Sequence, residues 1–69
     1  MKQEIVDSLM HDAESKCLLA KMNIQVLLNN PVGVGDHPNI TETIQEQLDV
    51  LSKNKDRLSV LTEYFYEED

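Results

Sequence analysis

An all-α chain folded as an antiparallel two-helix hairpin is what this sequence predicts, and three observations carry that reading. Two long stretches contain neither proline nor glycine; in each, apolar residues return every three or four positions; and Pro31, Gly33, Gly35 and Pro38 are all gathered within eight residues between them. Spacing of three and four marks an amphipathic helix, and a cluster of Pro and Gly ends one. At 69 residues the chain is read as one domain, 1–69, near the lower size at which a domain folds alone.

The first helix is expected over about residues 3–29, where Ile5, Leu9, Ala13, Cys17, Ala20, Ile24 and Leu27 form the repeating stripe and Val6, Met10 and Leu28 lie beside it. Its second half differs in kind. Leu18, Leu19, Met22 and Val26 spread apolar surface well beyond one stripe, more than a single partner helix covers.

A turn over residues 30–38 leads to a second helix, expected over about 39–66. Ile40, Ile44, Leu48, Leu51, Leu58, Leu61 and Phe65 repeat the pattern, with Val50 and Tyr64 widening it. Asn39 followed three residues later by Glu42 fits a capping box; Asp36, ahead of His37-Pro38, is a competing cap one turn earlier. The acidic end, 67–69, sits at the negative pole of the helix dipole and is expected to fray.

Packed antiparallel about the turn, facing residues have numbers summing to about 68, which sets Cys17 opposite Leu51, Ile24 opposite Ile44 and Met10 opposite Leu58. Asp12 and Glu14 then approach Lys53, Lys55 and Arg57, favouring this register. The polar run Ser52–Arg57 suggests a lightly anchored middle. Within it Asn54 stands on the stripe, either as a polar register marker or as an exposed residue where packing is loose. Cys17, on the same stripe, reads as a small buried hydrophobe.

Two helices in contact bury one stripe each. The remaining apolar surface, at Leu18, Leu19, Met22 and Val26 on the first helix and at Tyr64 on the second, is more than a soluble monomer usually exposes. A homo-oligomer is therefore expected, a four-helix bundle or a higher helical assembly, with these five residues at the interface.

Charge removes several function classes. Thirteen acidic residues against six basic ones give a net charge of −7, which repels a phosphate backbone and an anionic membrane surface. No nucleic acid or membrane partner is expected. Neither a leader pattern nor an apolar run of about 20 residues is present, and one cysteine forms no internal disulfide, so a cytoplasmic, reducing setting is expected.

Candidate sites are few. The turn Gly33-Val34-Gly35-Asp36-His37-Pro38 runs into a helix amino terminus, where free N–H groups can hold an anion, and Gly33, Gly35, Asp36 and His37 are its candidate ligand-binding residues. Against a phosphate there, no lysine or arginine occurs between Lys21 and Lys53. Glu42, Glu46 and Asp49 share one helix face, as do Asp7, His11 and Glu14. Carboxylates at such spacing build metal centres only when facing helices point them inward, and the ExxH-type pairing of those centres is missing from the first helix. These faces are read as solvated; no metal, no cofactor and no catalytic residue is expected.

The run Leu28-Asn29-Asn30-Pro31-Val32-Gly33-Val34-Gly35-Asp36-His37-Pro38-Asn39-Ile40, with Thr43-Ile44 and the later Lys55-Asp56-Arg57-Leu58-Ser59-Val60-Leu61, resembles small uncharacterised proteins of T4-like tailed phages, marine ones especially. The resemblance spans most of the chain. It implies a short accessory protein acting inside an infected bacterium on a host or phage component, and it carries over no activity and no site residues. The leading expectation is thus a non-enzymatic helical hairpin that self-associates and works through protein contacts, as an adaptor or inhibitor. The alternative is a small-ligand binding or sequestering protein using the GVGDHP turn at a subunit interface; a metal-dependent hydrolase comes third.

Overall fold

The computed structural model describes residues 1–29 and 39–67. Two helices, α1 (Lys2–Asn29) and α2 (Ile40–Val60), pack side by side, and α2 ends in a wider π-helical turn, Leu61–Phe65. Among the described residues there is no strand. The predicted antiparallel hairpin is what forms: Lys2 meets Glu67 at one end, Cys17 meets Leu51 in the middle, and Asn23 meets Gln47 towards the other end. The numbers of these pairs sum to 69, 68 and 70, so one register holds along the whole length.

The molecule is a rod, 53 × 15 × 14 Å, with a radius of gyration of 15.7 Å, where a compact chain of this length has about 11 Å. Its seam is built in heptads. On α1, Val6, Ala13, Cys17 and Ala20 are buried and Met10, Ile24 and Leu27 half-buried; on α2, Asn54 is buried and Ile40, Ile44, Gln47, Leu51, Leu58 and Leu61 half-buried. The steps between successive members are four, three, four, three on both helices, the spacing of an antiparallel coiled coil.

That pattern corrects the stripe read from sequence at both ends. Ile5 and Leu9 are about half exposed, as are Leu48 and Phe65, and Val6, Met10 and Gln47 take seam positions instead. Where two apolar residues are adjacent, as in Ile5-Val6, spacing alone fits either one; only the partner helix decides.

The middle is also tighter than expected. Ala13 is 2% exposed, Ala20 1% and Asn54 2%, so the reading of a loosely packed centre with Asn54 in water is overturned. Small side chains at 13, 17 and 20 let the helix backbones come close, and a close backbone covers whatever stands opposite. The Cys17 thiol is near enough to α2 to donate to the Leu51 carbonyl, Sγ to O 3.8 Å.

Two local expectations fail. Asn39 makes no side-chain cap; its carbonyl accepts both the backbone N–H of Thr43, at 3.0 Å, and the Thr43 hydroxyl, at 3.2 Å. Nor do Asp12 and Glu14 reach across the seam. Asp12 pairs with Lys16 on its own helix at 2.9 Å and Glu14 lies 3.9 Å from His11. A partner one turn away costs less side-chain ordering than one on another helix. At the carboxyl end, Glu67 is held by Lys2 Nζ at 2.9 Å, while residues 68–69 of the tail expected to fray lie outside the described residues, as does the competing cap Asp36.

Candidate interaction surface

The residues named from sequence as an interface are all in water. Leu18, Leu19, Met22 and Val26 are 52 to 63% exposed, on the side of α1 turned away from α2. At about 100° per residue, positions 18, 19, 22 and 26 fall opposite the line through Cys17, Ala20 and Ile24. Their exposure follows from the heptad itself: a helix with a seam at 13, 17, 20 and 24 cannot also turn 18, 19, 22 and 26 inward. Tyr64 is likewise exposed, its ring set edge-on to that of Phe65 with centroids 6.5 Å apart.

At the end of the rod that holds the termini, the half-exposed Ile5 and Leu9 of α1 and Phe65 of the π-turn open into an apolar groove of about 510 Å³. Leu9 and Leu61 continue it into a second groove of about 310 Å³, whose rim carries Asp12, Asp56 and Arg57. Apart from those charges and Lys2 at the larger groove, the lining residues are apolar. Sequence reading missed this surface because it had placed Ile5, Leu9 and Phe65 in the seam; the signal was the pair of adjacent apolar residues at 5-6 and 9-10.

The total exposed surface gives these patches a scale. The chain exposes 5556 Å², against about 4,400 Å² for a compact monomer of this mass. Burying one exposed leucine completely yields roughly 1.5–3 kcal/mol, so the apolar residues left in water represent a large reserve of free energy for association.

The other candidate sites resolve as follows. Gly33, Gly35, Asp36 and His37 lie outside the described residues. Among the described residues no three His, Cys, Asp or Glu side chains stand together as a metal would require. The acidic faces on α1 are spent on local pairs: Gln3 donates to Asp7 at 2.8 Å and the amino terminus bridges Glu4 at 3.2 Å. No described helix is long and apolar enough to cross a membrane. Cys17 is buried in the seam.

Comparison with known proteins adds no relative: no family model matches the chain, and neither a curated protein nor a solved structure matches it significantly.

Proposed function

We propose that the protein is a non-enzymatic interaction module that works by self-association and protein contact, as an adaptor or inhibitor. The observation that carries this reading is the imbalance between what the hairpin buries and what it leaves out. Among the described residues the fully buried apolar ones are Val6, Ala13, Cys17 and Ala20, the larger seam residues being half-buried, while Leu18, Leu19, Met22, Val26, Ile5 and Leu9 are more than half exposed. A chain this short with so small a core needs further burial to reach ordinary stability. Its largest side chains are in the wrong place to supply that burial within one copy.

Sedimentation equilibrium of the purified protein, run beside the variant Leu19→Glu, tests the reading. The wild type is expected to be an oligomer and the variant a monomer or an unfolded chain. A monomeric wild type, or an oligomer indifferent to the substitution, contradicts it.

A further inference from the structure

Resting on that reading, we infer that the occupant of the free apolar surface is a second copy of this chain, docked flank to flank with both sets of termini at the same end. The two flanks of the hairpin are unlike. Starting at Ile5, positions 5, 9, 12, 16, 19, 23 and 26 repeat the four-three step of the seam, displaced to one side of it, so α1 carries two stripes and only one faces α2. On the same side α2 presents Val50, Arg57 and Val60. This is the flank on which the grooves open, between Leu9 and Val60 near the termini and between Val26 and Thr43 near the other end. The opposite flank carries Asp7, Glu14, Lys21, Ser52, Lys55 and Ser59, with Leu18, Leu28 and Leu48 exposed among them, and no groove of the described residues opens there.

The apolar residues of the first flank come at matched heights. In the register fixed by Lys2–Glu67, Cys17–Leu51 and Asn23–Gln47, Ile5 is level with Tyr64, Leu9 with Val60 and Leu19 with Val50. Charged residues match too: Asp12 is level with Arg57, and Lys16 with Lys53. A half-turn about the long axis of the rod keeps every height and lays α1 of one copy over α2 of the other. Ile5, Leu9 and Leu19 then meet Tyr64, Val60 and Val50, Val26 meets Thr43, Asp12 meets Arg57, and all neighbouring helices run antiparallel as in a four-helix bundle. Lys16 against Lys53 is the one repulsive level, eased by Asp12 at 2.9 Å from Lys16.

Reversing the second copy end for end keeps Leu9 near Leu19, Asp12 near Lys16 and Val50 near Val60, but it sets Ile5 near Asn23, Glu46 near Tyr64 and Lys53 near Arg57, so the apolar match of Ile5 with Tyr64 at the end of the rod is lost. A flank as long as α1, about 42 Å at 1.5 Å per residue, and 15 Å wide offers about 600 Å² in projection, somewhat below the roughly 800 Å² each partner buries in a standard interface. Using the whole flank is therefore necessary, which argues against an end-on contact.

Single-cysteine chains test this geometry. Cys17→Ala removes the native thiol from a position where alanine fits, and Leu9→Cys, Leu19→Cys and Val60→Cys are then placed separately at exposed sites, each chain checked for helicity. Chains are mixed in pairs, oxidised, and read on a non-reducing gel beside sedimentation equilibrium. The expected result is a dimer in which Leu9→Cys links to Val60→Cys and not to Leu19→Cys. Linkage of Leu9→Cys to Leu19→Cys, or a dimer that links neither pair, overturns the arrangement while leaving self-association standing. A monomer at every concentration overturns both.

Discussion

Asn54 turns its carboxamide back onto its own helix: Nδ2 donates to the Val50 carbonyl at 2.8 Å from inside the seam, where the residue is 2% exposed. Its Oδ1, also buried, finds no donor among the described residues. A buried acceptor without a partner costs about 1–3 kcal/mol, and an asparagine at a seam position trades that stability for register. Asn54→Leu, which keeps the branching of the side chain but is larger, is expected, where the seam admits the added volume, to raise the melting temperature by about 4–8 °C for each kcal/mol recovered in a chain of this size. Circular dichroism melts check the gain. A drop in melting temperature would mean that the polar group is better satisfied than its surroundings imply.

Ala20 is 1% exposed and stands where the backbones approach closely. Ala20→Leu has no space to occupy without pushing the helices apart and is expected to destabilise the fold by about 1–3 kcal/mol. Cys17→Ala, which removes one buried sulfur atom and its weak S–H donor, is expected to cost about 1 kcal/mol. Urea titration of the two variants should rank them in that order; equal losses would show that closeness at 20 is not limiting.

Leu18 and Leu19 are adjacent and equally exposed, at 58 and 60%, yet they lie on different flanks. If the second copy covers the flank of Leu9, Leu19 and Val60, Leu19→Glu dissociates the dimer and Leu18→Glu leaves it intact. Sedimentation velocity separates the two outcomes. Dissociation by Leu18→Glu and not by Leu19→Glu would move the interface to the other side of the rod.

Lys53→Glu replaces a like-charge level by an opposite-charge one at two symmetric places. Partly exposed pairs contribute about 0.2–1 kcal/mol each, so the dimer Kd is expected to fall several-fold at low salt. The gain should shrink as ionic strength rises. An unchanged or weaker Kd would separate Lys16 from Lys53 of the second copy.

Lys2 and Glu67 join the two ends of the chain at 2.9 Å but remain 71% and 62% exposed. Solvent screening leaves such a pair about 0.5 kcal/mol or less. Glu67→Gln is expected to leave the melting temperature nearly unchanged while increasing hydrogen exchange in the last turn. A large loss of stability would show that this bridge closes the hairpin rather than decorating it.

The hairpin was legible because it depends on features that sequence carries openly: the absence of breakers in both arms and their concentration between them. Register was legible for the same reason, since the place of the breakers sets the sum of facing residue numbers, and the expected Cys17–Leu51 pairing is present. What could not be read was which of two adjacent apolar residues turns inward. Ile5 and Val6 differ little in hydrophobicity, and the choice is made by the heptad phase that α2 imposes through Ala13, Cys17 and Ala20. Asn54 was ambiguous because its burial depends on how small the residues opposite it are. The Asn39–Glu42 capping box and the cross-seam ion pairs failed because Thr43 and Lys16 offer shorter-range partners. Of the interface residues, exposure of all five was foreseeable from the helical wheel; the terminal grooves were not, being made by residues assigned to the seam.

Lys2 and Glu67 are in contact at one end of a 53 Å rod. A load applied to the two termini would therefore peel the helices apart one seam level at a time, beginning beyond Val6 and Leu61, and would never have to shear the whole seam at once. Mechanically the hairpin is a zip fastener opened from its free end. A load applied across its length, as between two partners gripping opposite flanks, would meet every level together.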